Sequence, residues 1–231
     1  VTAGYHFSID DVFDSLFDVD APLWAFLDEA HARFGVPADL YVFLTGGGRS
    51  LADVPPHALA ARPWLRIGPH ARDLATPPHA EDAAARAATF AALYAAIDRA
   101  VGRARRSTWV RLHYFSEPYE SAAQLVAEGA RTLLLTDRDA IAYRLPDAAK
   151  SELEATGRIT HAGLKLRRSH VRLEDVLARG EPPEPLLDRA LARHGYVTMF
   201  THEPDLAHPE LRALAMRCFA HLAERGVPAI E

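Results

Sequence analysis

The sequence is poor in the features that would fix its class by composition alone. It has one cysteine, Cys218, in 231 residues. A single thiol excludes an intrachain disulfide and argues against a thiolate zinc site, and Cys218, set in an Ala/Leu-rich helical pattern, reads as a buried, inert thiol. No run approaches the roughly 18 apolar residues that a membrane span requires. Positive charge is not in excess, since 26 Lys and Arg stand against 31 Asp and Glu for a net charge of −5. The basic clusters at Arg103, Arg105 and Arg106 and at Lys165, Arg167 and Arg168 are flanked by acidic segments and read as solvated faces. Neither nucleic acid nor an anionic membrane is an expected partner. Gly46-Gly47-Gly48 is followed by Arg49-Ser50, without the Gly-Lys-Ser/Thr of a P-loop or a G-x-G-x-x-G spacing, so it reads as a flexible loop rather than a phosphate cradle. No charged segment with an apolar core is visible at the start, which makes the cytoplasm the default expectation; the first residue is Val1 rather than Met, so a removed leader is left open.

What is present is an ordinary globular composition, 49% apolar and 25% charged. A chain of this length buries enough surface to fold without a disulfide or a metal, so a metal here would serve chemistry. Short β-rich runs (5–9, 40–44, 65–68, 109–114, 132–136 and 196–201) alternate with helical patterns (22–34, 80–103, 121–128, 184–194 and 209–225). Pro22 and Pro209 suit first helical turns, and Gly35, Gly129, Gly195 and Gly226 fall just past helix ends. Strands separated by helices need crossovers and build a parallel sheet. The expected fold is α/β, a parallel β/α barrel of about seven strands, complete or incomplete, forming a single domain over 1–231.

A barrel is preferred to an open sheet because polar residues recur at strand ends. Asp10 and Asp11 follow the first strand, His70 the third, His113 ends the fourth, Asp137 follows the fifth and His202 the last. In a barrel such positions share one mouth, where these folds place their active sites. Residues 158–174 have period-two patterning around Ala162-Gly163 and predict an inserted β-hairpin that edges the mouth, with His161 and His170 as substrate contacts. His6 is expected to be a satisfied interior residue. Tyr5, Trp64, Tyr114, Phe115 and Tyr119 are the aromatics near strand ends that offer flat faces to a ligand, with the core as the alternative place for Trp64 and Phe115.

The strongest local signal is Tyr5-His6-Phe7-Ser8-Ile9-Asp10-Asp11, an apolar strand running into two carboxylates. Adjacent side chains on a strand point apart, but at a strand end both can reach the mouth. One carboxylate can then hold a divalent cation while the other takes a proton from water; the alternative is that one of them caps the next helix.

The FSIDD segment resembles the T/S-F-D-D motif of the polysaccharide deacetylases (carbohydrate esterase family 4). The resemblance implies that Asp10 is the general base and Asp11 a metal ligand. The family's His-x-x-x-His pair is half present: Gly68-Pro69-His70 matches, but Leu74 stands at the second position, and His79 is the nearest substitute. Val110-Arg111-Leu112-His113 resembles the R-x-P motif, implying that Arg111 orients and ionises Asp10, while His113 replaces the proline and either completes the metal shell or contacts substrate. Thr136-Asp137-Arg138-Asp139 resembles the family's acidic loop, so Asp137 and Asp139, with Tyr114, are candidate substrate-binding residues. Met199-Phe200-Thr201-His202 matches the last motif, implying that His202 is the general acid. These motifs follow the family order and span nearly the whole chain.

The resemblance implies a metal-dependent deacetylase of an N- or O-acylated sugar or related amide, with zinc as the expected cofactor and a carbohydrate or other acylated small molecule as the partner. Two other readings stand beside it: a metal-free glycoside hydrolase pairing Asp10 or Asp11 with Asp137 or Asp139, and a catalytically degenerate carbohydrate-binding barrel.

Overall fold

The computed structural model describes residues 3–55, 57–116, 121–136 and 145–230. Its strands are β1 (Gly4–Val12), β2 (Ala38–Phe43), β3 (Thr45–Gly46), β4 (Arg49–Ser50), β5 (Leu65–Ala71), β6 (Trp109–Val110), β7 (Thr132–Leu135), β8 (Arg158–His161), β9 (Leu164–Arg168), β10 (Val171–Arg172) and β11 (Tyr196–His202). The helices are α1 (Pro22–Phe34), α2 (His57–Ala60), α3 (Ala83–Val101), α4 (Ala122–Ala127), α5 (Asp147–Thr156), α6 (Leu173–Arg179), α7 (Glu184–His194) and α8 (Pro209–Glu224). Proline opens α1 and α8, and left-handed Gly35 and Gly195 close α1 and α7, each releasing its N–H to a carbonyl of the last turn.

One sheet has the order β10-β11-β1-β2-β5, all parallel. The other is β6-β7-β9-β8, parallel except for β8. The two are joined on one side by a parallel bridge from Ile67 to Arg106, with the Ser107 N–H donating to the Ile67 carbonyl at 2.8 Å. On the other side the chain itself runs from β9 through Ser169 and His170 into β10. With β9 and β10 taken as one bent strand, this is the incomplete parallel β/α barrel that the alternation predicts.

The hairpin predicted over 158–174 is present as β8 and β9, turning at Ala162-Gly163. Its second strand is a barrel strand, because β9 pairs in parallel with β7. The antiparallel β8 therefore carries the chain back to the start of the sheet, a descent usually made by a helix. The turn consequently lies at the end of the barrel away from Asp10 and His202, and only the exit of β9 reaches the mouth. The expectation that the hairpin edges the mouth is corrected by this topology. His161 sits beside the turn, and His170 is occupied with His194 at 2.8 Å.

The three-glycine segment is also more ordered than expected. Gly46 ends β3, and Gly47 and Gly48, with φ of 54° and 75°, make the two-residue turn into β4. Successive positive φ values at a two-residue hairpin turn are what glycine accommodates without strain. The fourth predicted strand is shorter than the run 109–114. It ends at Val110, and His113–Phe115 form a single tight turn with Tyr114 at φ 55°.

The core lies between the barrel and its helices. Phe219 of α8 is 1% exposed and meets Phe7 of β1 at 4.9 Å edge-on, and also contacts Phe26 and Phe34 of α1. These contacts clamp two outer helices to the strand that carries both aspartates. Phe219→Ala is expected to lower stability by about 3–5 kcal/mol in urea unfolding; a loss below about 1 kcal/mol, the size of a surface effect, would refute this role.

Candidate metal centre

Ser8 and Asp10 lie two apart on β1 and share its inner face. Strand alternation alone would turn Asp11 outward. Instead, the pairing of β1 with β2 shifts register between Ile9 and Val12, and Asp11 takes a left-handed conformation with φ 58°. The bulge brings two consecutive carboxylates to one cleft, at a backbone cost of roughly 1–3 kcal/mol. Aspartate is one of the few non-glycine residues that enter this region readily.

Asp11 Oδ1 stands 3.0 Å from His70 Nε2 and 3.1 Å from His113 Nδ1, and those two nitrogens are 3.2 Å apart. Both rings are oriented from behind. His70 Nδ1 faces the Arg111 carbonyl at 2.7 Å, and His113 Nε2 faces the Leu74 carbonyl at 3.1 Å. A carbonyl only accepts, so each of these outer nitrogens carries the proton. In the neutral imidazoles the inner nitrogens are then lone pairs, and three acceptors converge with no donor among them. This donor set suits a divalent cation, with each imidazole held by an outer hydrogen bond as metal-binding histidines normally are. Burial on its own would raise the Asp11 pKa; with no cation between them, protons on the facing nitrogens of His113 and His70, together with the charge of His202, would instead hold the carboxyl below its usual range.

Both His113 and His79 were candidates for the third position, and the structure brings His113 to Asp11 and His70. His79 Nδ1 bonds Ser116 Oγ at 2.8 Å, outside the cluster. Leu74, where the family has its second histidine, supplies the carbonyl that orients His113.

Asp10 is 2% exposed and is held by Arg111, itself 1% exposed. Arg111 Nη1 lies 3.2 and 3.4 Å from the Asp10 oxygens and 2.9 Å from Ser8 Oγ, while Nη2 donates to Ser169 Oγ at 3.2 Å. The Phe200 ring lies 3.9 Å beneath the guanidinium. Across the β1–β11 ladder Asp10 is paired in register with His202.

Sequence reasoning missed Glu174, in the first turn of α6. Its Oε1 accepts from the Thr201 hydroxyl, the His202 N–H and His202 Nδ1 at 2.7, 2.7 and 3.0 Å. The sequence places Glu174 at the end of the hairpin over 158–174 and predicts no helix there, so only the fold reveals this contact. Burial would lower the His202 pKa, but the Glu174 hydrogen bond and the charges of Asp10, Glu174 and Asp11 outweigh it and raise it. Glu174 is opposed by burial as well, yet its hydrogen bond and ion pair with His202 bring its pKa down to about 2. Because Nδ1 is the nitrogen facing Glu174, Nε2 is left to exchange a proton. Glu174, His202 and Asp205 also lie close enough to share a cation, but Glu174 Oε1 is already filled by donors, unlike the Asp11 site.

These residues line a cleft of about 500 Å³, together with Leu74, Tyr114, Phe115, Arg172 and Asp205. Tyr114 is half exposed at its rim. Tyr5 and Trp64 are elsewhere, Tyr5 at the start of β1 and Trp64 stacked on His31 at 4.2 Å. Asp137, Asp139 and Tyr119 lie outside the described residues.

No family model and no curated protein matches the sequence. Among solved structures, the chain is similar to the peptidoglycan deacetylase PdaC from Bacillus subtilis, with a TM-score of 0.52 and 14% identity over 99% of this chain and 88% of that one. A second, described as a polysaccharide deacetylase involved in O-antigen biosynthesis from Bordetella bronchiseptica, has a TM-score of 0.52 and 12% identity over 96% and 90%. The fold is that of the polysaccharide deacetylases. A 4-alpha-glucanotransferase from Thermococcus litoralis shares it with a TM-score of 0.62 and 13% identity, this chain spanning 98% of its own length but 37% of the longer enzyme. At such identities the likeness concerns the fold alone. The cytoplasmic default does not survive the comparison. A protein of this fold is named for peptidoglycan, a cell-wall polymer, and a missing leader signal is no ground for placing this chain in the cytoplasm. Among the described residues no helix is long and apolar enough to cross a membrane.

Removing the guanidinium would strand a buried carboxylate. Arg111→Met is expected to destabilise the protein by about 3–5 kcal/mol in denaturant titration, with part recovered in the Arg111→Met/Asp10→Asn double variant. An unchanged unfolding midpoint in the single variant would show that the pair carries no such weight.

Proposed function

We propose that residues 1–231 act as one domain, a metal-dependent hydrolase that deacetylates an N- or O-acylated sugar or a related amide. The observation carrying this reading is the convergence of Asp11 Oδ1, His70 Nε2 and His113 Nδ1 with no donor among them. Two imidazoles and a carboxylate make a three-ligand set that leaves a position open, which favours zinc. A cation there would polarise the acyl carbonyl and lower the pKa of water.

The protein's own groups divide the proton work. Arg111 pairs with Asp10 and orients it, and Asp10 takes the proton of the attacking water. His202, protonated and held by Glu174 through Nδ1, delivers a proton from Nε2 to the departing amine or alcohol. The carboxylate that accepts and the imidazolium that donates are register neighbours across β1 and β11, on either side of the reacting carbonyl. The paired-carboxylate reading is less well supported, because Asp10 is engaged by Arg111 and Asp11 by two imidazoles. The convergence of Asp10, Asp11, His70, His113 and His202 on one cleft likewise weighs against a degenerate binding barrel.

Metal titration by calorimetry tests the assignment. His113→Ala and Asp11→Asn are expected to weaken zinc binding by more than the roughly 10–100-fold that loss of an outer-shell partner costs. His79→Ala should leave it unchanged; tight zinc binding by His113→Ala together with loss in His79→Ala would reverse the assignment. Asp10→Asn is expected to keep the metal and lose on the order of 10²–10⁴-fold in kcat on acetylated chitin oligomers.

The acid limb of the site has its own signature in pH. The His202 pKa is raised in the folded protein, so the proton needed for delivery is retained above the ordinary histidine range and lost as pH rises through the folded value. The ion pair's contribution to stability disappears over the same rise, and on the acid side as pH falls from the ordinary glutamate value through about 2. In Glu174→Gln the alkaline limb of kcat should move to lower pH. A limb that stays in place would remove Glu174 from this role.

A further inference from the structure

The proposed chemistry leaves two charged groups of the cleft unused, Asp205 and the cation Arg172. Arg172 ends β10 and is set beside Phe200 by the β10–β11 pairing, two residues before His202. Its Nε is buried without a hydrogen bond, with Glu174 Oε2 and Asp175 Oδ1 at 3.5 and 3.9 Å. Glu174 is not free to turn towards it, because its other oxygen is held by Thr201 and His202. The Arg172 side chain as a whole is 39% exposed and makes no hydrogen bond to any described residue. A guanidinium carries five N–H donors in a planar fork that matches a carboxylate. Arg111, deeper in the same cleft, spends its donors on Ser8, Asp10 and Ser169. Arg172 spends none.

The charge of the cleft points the same way. Asp10, Asp11 and Asp205 are opposed there by Arg111 and Arg172. A divalent cation on the Asp11 site turns that balance net positive, and a positive concave site concentrates anionic ligands. Arg172 lies on the side of His202, where the leaving group departs, so the anion it meets belongs to the released sugar and not to the acyl group.

We propose that Arg172 is a specificity-determining residue that binds a carboxylate on the leaving-group side, so that the substrate is an acidic acylated sugar in preference to a neutral one. The inference rests on the hydrolase reading for the direction of the leaving group, while the binding preference itself is readable without turnover. The carboxylate can belong to a uronic acid neighbour or to an ether substituent on the acylated sugar, and matched probes separate these sources.

Chelator-treated protein, which cannot turn over by a metal route, and the same protein reloaded with zinc are titrated calorimetrically with two pairs of ligands. The first pair is a hyaluronan tetrasaccharide against chitotetraose, and the second is N-acetylmuramic acid against N-acetylglucosamine. The acidic member of at least one pair is expected to bind about tenfold more tightly, as one charge-assisted bidentate contact provides. Arg172→Gln should abolish the preference while leaving the neutral ligand's affinity and the thermal midpoint unchanged, and Arg172→Lys should restore part of it. Equal binding within both pairs by the wild-type protein, or a preference that survives in Arg172→Gln, overturns the proposal. Failure of zinc to bind, with the acidic preference intact, would instead count against the hydrolase reading alone.

Discussion

Arg111 is the residue on which the geometry of the site depends, because it fixes both halves at once. Its guanidinium ties Asp10 to Ser8 and Ser169, and its carbonyl ties down the outer nitrogen of His70. The first contact orients the proposed general base; the second fixes the tautomer of a proposed metal ligand. A side chain so deeply buried is costly to desolvate, and an unpaired charge at that depth would cost more than the pair returns. The arrangement is therefore either fully assembled or strongly disfavoured. Such all-or-none behaviour would preorganise the proposed base beside the candidate cation site without leaving it free to bind the cation itself.

Strain at Asp11 completes that separation of roles. On a regular strand, one of two consecutive carboxylates faces the wrong side of the sheet. The bulge at Asp11 turns the second carboxylate into the cleft without moving the first off the inner face. Backbone distortion so close to the chemistry is where proteins commonly store strain, and here the strained backbone sets the displaced carboxylate against two imidazoles.

Much of this was legible in the sequence. The alternation of β-rich runs with helical patterns, with proline at helix starts and glycine past helix ends, yields the parallel barrel. α1 and α7 occupy the spans 22–34 and 184–194 read from those signals. The FSIDD, Gly-Pro-His and Thr-His segments pointed to Asp10, Asp11, His70 and His202 because each ends a strand, and strand ends converge. What stayed hidden is what no local pattern encodes. The choice between His79 and His113 depends on which loop reaches across the mouth, and Glu174 is joined to His202 by the bend between β9 and β10. The hairpin was visible from its period of two, but its direction was not, since period fixes faces and not the end of the barrel at which a turn lies.

With Leu74 at the position that corresponds to the deacetylases' second histidine, His113 is the residue placed to complete the proposed metal shell. A side chain that cannot ligate still has a carbonyl, and that carbonyl holds the outer nitrogen of His113 while the inner one faces Asp11. His113 itself reaches the cluster because β6 ends early and the chain closes into a left-handed turn at Tyr114. A proline at position 113 would leave no imidazole to ligate and would restrict the residue before it. Leu74 and His113 are thus two parts of a single arrangement, coupled through the hydrogen bond between the Leu74 carbonyl and the His113 ring.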